Sequence, residues 1–283
     1  MASWGRKLAY FALGSAAVGT IFGLGFAVNL GGRVCAEDEE RRRKLGPADS
    51  FSLKNISGTL TYHRRQNPTI LFVHGRSAGW SEALPISERF YADGYNVVLW
   101  ERAGRTIQYG REGILDVLRV VERVGQHPAV DRDKIFVLGL SLGAAIALGA
   151  AAQDEKRQIA AVIADSPYSD LKSVALHYVT VFGCIPKLLA WPSAFVMFRV
   201  AKAVHHVEVK SCNPSDWARR IQCPVLLIHG KNDWRIPPEH SVCLFNTIAS
   251  RKDLWIVEGT GHTEAFFHRP HDYLRRVNEF TAG

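Results

Sequence analysis

Ser141 sits in Gly139-Leu140-Ser141-Leu142-Gly143, between the apolar run 134–138 and the small, helix-forming run 144–148. The pattern reads as strand, sharp turn, helix. A Gly-x-Ser-x-Gly at such a junction holds its serine in a strained turn, so the hydroxyl stands clear of both elements and the next backbone N–H points into an anion-stabilising space. A serine hydroxyl becomes a useful nucleophile only beside a base, and the base needs an orienting carboxylate. Both types recur downstream at strand-like ends. Asp233 lies in the turn Lys231-Asn232-Asp233 after the run 225–228, and His262 ends Gly259-Thr260-Gly261-His262 after the run 254–257. Asp165, which closes the run 159–164, is a rival for the acid in a weaker context. With eleven histidines, one near a strand end is common by chance, so it is the glycine-flanked site after the last strand that singles out His262. His74 reads as a loop brace, and His205 and His206 as surface residues.

The elements that must position these residues follow from hydrophobic periodicity. The almost continuously apolar runs 69–73, 96–100, 134–138, 159–164, 224–228 and 253–257 suit strands buried on both faces of a parallel sheet. Alternating runs at 51–54 and 59–62, with a turn near Ser57-Gly58, predict an antiparallel lead-in. Helical patterns at 82–92, 110–124, 142–152, 238–249 and 270–280 lie between or after the strands, which predicts a doubly wound α/β sheet whose ligands bind beyond the strands' carboxyl ends. The stretch 170–223 breaks the alternation. It has no strand-like run and many apolar residues, among them Trp191, Phe195 and Phe198, and reads as a helical cap at about 171–222. Most of its apolar surface would pack the cap onto the body of the domain, and the remainder would line an acyl pocket.

Ahead of this domain, residues 8–32 carry no charge, and 25 helical residues at ~1.5 Å each exceed the hydrocarbon thickness of a bilayer. This predicts one transmembrane helix, with residues 1–32 as anchor, 33–50 as a charged linker and 51–283 as the folded domain. A signal peptide cleaved after Val34-Cys35-Ala36 is the rival reading, but its apolar core would be shorter. Arg33, Arg41, Arg42, Arg43 and Lys44 follow the segment and place the domain on the cytoplasmic side of a single-pass protein. Gly19 and Gly23 form a Gly-x-x-x-Gly that would allow two such helices to approach.

The formal charge of +8 does not point to nucleic acid, because the basic residues are dispersed and the one dense run follows Glu37-Asp38-Glu39-Glu40. A solvated juxtamembrane linker is the simpler reading. The five cysteines lack metal-ligand spacing, so neither a metal nor an organic cofactor is expected. Cys35 sits where palmitoylation would add a second anchor, although an unmodified thiol suffices.

From residue 51 to 280 the chain resembles the α/β-hydrolase superfamily. The matching blocks are Leu71-Phe72-Val73-His74-Gly75, the Ser141 pentapeptide, Asp165-Ser166-Pro167-Tyr168, His229-Gly230-Lys231-Asn232-Asp233 with Ile236-Pro237, and Gly259-Thr260-Gly261-His262. Within the superfamily it is similar to a membrane-anchored branch related to serine-aminopeptidase-like and dienelactone-hydrolase-like groups. The resemblance implies an α/β-hydrolase fold with a mostly parallel sheet and cap, Ser141, Asp233 and His262 as catalytic residues, and an oxyanion hole from the N–H groups of Arg76 and Leu142. Arg76-Ser77-Ala78-Gly79 departs from the small or amide residues usual after His-Gly, and Glu101-Arg102-Ala103-Gly104-Arg105-Thr106 departs from the usual Asp-x-Arg-Gly-x-Gly. The expectation is therefore a serine hydrolase that cleaves an ester or thioester of a small or lipid-like, hydrophobic acyl substrate. A serine peptidase and a non-catalytic, membrane-tethered binding module are the alternatives.

Overall fold

The computed structural model describes residues 36–75, 79–102, 110–181, 187–205 and 213–283. They fall into two compact units, one drawn from Asp170–Cys212 and one formed by 36–169 together with Asn213–Gly283. The larger unit is built on eight strands: β1 Ala48–Leu53, β2 Ile56–Thr61, β3 Asn67–Val73, β4 Asn96–Arg102, β5 Val130–Leu140, β6 Ala161–Asp165, β7 Val225–Gly230 and β8 Lys252–Val257. Their order across the sheet is β1-β2-β4-β3-β5-β6-β7-β8. β1 and β2 pair antiparallel with each other and β2 with β4, while every other pairing is parallel.

Every residue of β6 and β7 is buried, as are Thr69–Val73 of β3. Strands covered on both faces need apolar side chains in both alternating directions, which is why they read as unbroken apolar runs. Ile70, Phe72, Leu138, Ile163, Leu226 and Ile228 form the middle of one core layer, closed by Phe90 and Tyr273 from flanking helices. On the other side lies the helix Leu142–Gln153, in which all ten residues from Leu142 to Ala151 are buried. A helix apolar all round is stable only when it is enclosed.

The parallel register places the functional ends together. Val73 pairs with Gly139, Leu140 with Asp165, Asp165 with Ile228, and Gly230 with Val257. The loops carrying Ser141, Asp165, Asp233 and His262 therefore leave one edge of the sheet side by side.

The charged run before β1 is ordered rather than a freely solvated linker. It forms the helix Ala36–Leu45 and is tied to the body by a two-pronged bond from Arg41 to Glu88, at 3.0 and 2.7 Å, and by Arg42 to Thr59. The guanidinium of Arg42 also lies 5.7 Å from the centre of the Trp80 ring. Among the described residues no helix is long and apolar enough to cross a membrane. The segment 8–32 lies outside them.

The smaller unit contains the helices Leu171–Val181 and Lys187–His205. Ala175, Val179, Ala190 and Met197 form its core, with Leu176 and Phe198 packed beside them, whereas Trp191 and Phe195 remain mostly exposed.

The tightest backbone approach is at the turn from β5 into its helix. A side chain on Gly143 would run into the carbonyls of Val73 and His74, and one on Gly139 into Gly143 and Ala144. None of these neighbours can yield, because all are backbone, at the end of β3 or in the first turn of the helix. Gly143→Val is expected to lower the free energy of unfolding by about 3 kcal/mol or more, or to prevent folding, as measured by equilibrium denaturation.

Candidate active site

Ser141 adopts φ 54° and ψ −116°, a conformation rare for a residue with a side chain. Its N–H donates to the carbonyl of Asp165 at 2.8 Å, and its own carbonyl accepts from Ala144 and Ala145, starting the helix. The turn thus ends one ladder and begins another, and it pushes the side chain outward. The hydroxyl of Ser141 donates to Nε2 of His262 at 2.8 Å, and Nδ1 of His262 donates to Oδ2 of Asp233 at 2.6 Å. Residues 121 and 29 positions apart in sequence thereby form one continuous relay.

Asp233 is buried, and burial alone would raise its pKa. Hydrogen bonds from His229 and His262 and from the backbone N–H of Ile236 outweigh that effect and hold the carboxyl well below its usual range. Its Oδ1 accepts from the N–H groups of Arg235 and Ile236, each at 2.9 Å. Its Oδ2 faces Nε2 of His229 at 3.2 Å. His229 is fully buried, with Nε2 donating to the Ile236 carbonyl at 2.8 Å and Nδ1 accepting from the Ser241 hydroxyl at 2.6 Å. The Ile236 carbonyl and the Asp233 carboxylate place a proton on Nε2. Lys231 and Asn232 donate to the carbonyls of Val257 and Thr260, which fastens the acid's turn to the loop that carries His262.

His74 is buried beside the same edge. Its Nδ1 donates to the Gly75 carbonyl at 2.7 Å, and burial lowers its pKa, so the ring is neutral. Gly75 touches the site directly: its N–H donates to Glu82 Oε2 at 3.1 Å, and a Cβ on it would lie 3.6 Å from that of Ser141. Burial raises the pKa of Glu82, opposed by this hydrogen bond and by His262 and Arg235.

Of the positions singled out from sequence, Ser141, His262 and Asp233 come together, and Leu142 opens the helix whose first N–H groups have no partner inside it. Arg76 lies outside the described residues. The rival acid Asp165 does not meet the imidazole of His262; its Oδ1 accepts from Ser166. Glu82 and His229 were not singled out individually. A histidine followed by glycine at the end of β7 was a visible signal for the second, whereas Glu82 is brought in by a short 3-10 turn, Gly79–Ala83. Among the described residues no group of three or more His, Cys, Asp or Glu side chains is arranged to hold a metal ion.

A mostly parallel sheet with a serine on a sharp strand-to-helix turn, and with histidine and aspartate on later loops, defines the α/β-hydrolase fold. The profile of the prolyl oligopeptidase family (Peptidase_S9) matches residues 98–280, more than half of the chain. The chain belongs to that family and is a hydrolase of the α/β-hydrolase type. It is similar to protein bem46 of Schizosaccharomyces pombe, at 26% identity over 76% of this chain and 67% of the relative. It is also similar to the alpha/beta hydrolase domain-containing protein aho-3 of Caenorhabditis elegans, at 24% identity over 75% of this chain and 57% of the relative. Among solved structures, the Pyrococcus furiosus esterase Pf2001 superimposes with a TM-score of 0.68 at 21% identity, covering 84% of this chain and 92% of the esterase. The Pyrococcus horikoshii acylaminoacyl peptidase superimposes with a TM-score of 0.61 at 18% identity, covering 88% of this chain and 43% of the peptidase. At these identities the structural likeness concerns the fold.

The depressed pKa of Asp233 has a thermodynamic consequence. A carboxyl whose pKa is lower in the folded than in the unfolded state stabilises the fold above its unfolded value, and that contribution is lost as pH falls toward the folded value. The stability gap between wild type and Asp233→Asn, measured by equilibrium denaturation, is expected to narrow as pH is lowered from about 5 to about 2.

Proposed function

We propose that this chain is a serine hydrolase that cleaves ester or thioester bonds through an acyl-enzyme, with Ser141 as nucleophile, His262 as general base and acid, and Asp233 as its orienting carboxylate. The observation that carries this reading is the unbroken relay from Ser141 Oγ to His262 to Asp233, at 2.8 and 2.6 Å. In the first half-reaction His262 Nε2 takes the proton of Ser141 as Oγ bonds to the substrate's carbonyl carbon. Asp233 keeps the imidazole in the tautomer that can accept at Nε2, and stabilises the imidazolium. The N–H groups of Leu142 and Arg76 would receive the oxyanion, each such donor contributing on the order of 3 kcal/mol to lowering the barrier. Collapse of the tetrahedral intermediate breaks the bond to the leaving alcohol or thiol, which His262 protonates. In the second half-reaction His262 deprotonates a water that attacks the acyl group, and return of the proton regenerates Ser141.

A hydrophobic acyl group is favoured by exposed aromatic side chains on the segments involved. Trp234 follows Asp233 directly, and Phe267 lies on the short helix after His262; both are more than half exposed. We assign the smaller unit, at about 171–222, as the cap; Trp191 and Phe195 on it are themselves exposed. The apolar segment 8–32 completes the proposal as a single-pass anchor, with 33–50 leading to a domain at 51–283 on the cytoplasmic side. Peptide hydrolysis is the second reading, favoured by the family's name and by the acylaminoacyl peptidase among the structural neighbours. The same relay serves both, since both need a proton delivered to the leaving group.

A fluorophosphonate probe is expected to label the folded wild-type protein at Ser141 and not the Ser141→Ala variant, with ester turnover falling at least about 10³-fold in that variant. Failure of the folded wild type to label would remove the reading. A panel pairing acyl esters and thioesters with aminoacyl amides then separates esterase from peptidase.

A further inference from the structure

Asp165 is fully buried at the end of β6, yet it takes no part in the relay. Its neighbours show what it is tied to. The main-chain carbonyl of Asp165 accepts the N–H of Ser141 at 2.8 Å. Its Oδ1 accepts the hydroxyl of Ser166 at 2.9 Å, and Ser166 Oγ in turn accepts the N–H of Thr263, the residue after His262, at 3.1 Å. Ser166 also donates its N–H to Ile228 at 2.8 Å, on the strand that leads to Asp233. One dipeptide is thus bonded to the backbone of the serine, of the residue beside the histidine, and of the acid's strand.

The backbone agrees with this. Ser141, Ser166 and Thr263 have φ of 54°, 53° and 56°, three of the five non-glycine residues with positive φ among the described residues. Such conformations persist only where surrounding bonds over-determine them, and here those bonds link the three strained residues to one another. The buried hydroxyl of Tyr273 also lies against this carboxyl.

We propose that Asp165 and Ser166 form a clamp that fixes the separation of Ser141 and His262, and that both are positioning residues for the serine-hydrolase reaction proposed above, on which this inference rests. The clamp is also electrostatically coupled to the base. Burial pushes the Asp165 carboxyl up to about 6, opposed by Ser166 and by the His229 and His262 rings. Asp165 therefore gains its charge near neutral pH.

The test compares wild type, Ser166→Ala, Asp165→Asn and Asp165→Leu, each checked for folding by thermal denaturation. The rate of fluorophosphonate labelling at Ser141 is followed against pH, and the ring resonances of His262 are compared by imidazole NMR. Ser166→Ala loses the acceptor for Thr263 and is expected to label about 10- to 100-fold more slowly at every pH. Asp165→Asn keeps an oxygen for Ser166, so it should label nearly as fast as wild type. Asp165→Leu leaves Ser166 without that oxygen and should label as slowly as Ser166→Ala, so rescue by the asparagine separates positioning from burial. If Ser166→Ala does not fold, the contrast between Asp165→Asn and Asp165→Leu still decides the question. Wild-type labelling by both Ser166→Ala and Asp165→Leu would overturn the clamp. A wild type that never labels removes the hydrolase reading; the clamp is then supported by displaced His262 ring resonances in Ser166→Ala and Asp165→Leu but not in Asp165→Asn, and overturned by resonances that stay at their wild-type positions.

Discussion

The backbone of Ser141 is held at a positive φ that costs a residue with a side chain on the order of 1–3 kcal/mol, and the arrangement around it serves to hold that turn in place. Gly139 and Gly143 leave room for β5 to reverse into its helix against β3. The carbonyl of Asp165, supplied by the neighbouring parallel strand, takes the N–H that the turn would otherwise leave buried without a partner. An all-buried helix then anchors the turn from the other side. Relaxing any one of these would let the serine fall back to ordinary backbone geometry, and its hydroxyl would no longer meet His262.

The fold was legible wherever burial imposed a single demand on every residue. β3, β6 and β7 lie inside the sheet with apolar cover on both faces, and their stretches 70–73, 161–164 and 225–228 are apolar without a break. The helix Ala36–Leu45 was not legible, because it buries no residue completely and its stability comes from charge pairs. Glu39 with Arg42 and Glu40 with Lys44 lie one turn apart, and Arg41 reaches Glu88. A run of opposite charges has the same composition whether it is a solvated tether or a docked helix. Only the distant partner distinguishes the two.

The relay was legible for a different reason. Ser141, Asp233 and His262 each act through a side chain at the end of an apolar run, and both the residue type and its place are visible in one dimension. The support behind them acts mainly through the backbone or through burial. Asp165 contributes a main-chain carbonyl, and Ser166 a bond to a backbone N–H 97 positions away. His229 matters because its ring is enclosed between Ile236, Ser241 and Asp233. None of these roles changes the residue type that a strand end favours, so pattern reading passes over them.

The three members of the relay are fixed by two different physical means. Ser141 and the residue beside His262 lie at positive φ, whereas Asp233 has ordinary backbone and is immobilised by hydrogen bonds to its carboxylate. The division follows from what each must do. In the proposed reaction the serine and histidine have to present their reactive atoms to a substrate, so they cannot be enclosed by partners, and direction must come from a strained main chain. The aspartate meets no substrate and gains from enclosure, because every donor around it keeps it ionised and in place. Strain therefore falls where the site must stay open, and saturated hydrogen bonding where it can be closed.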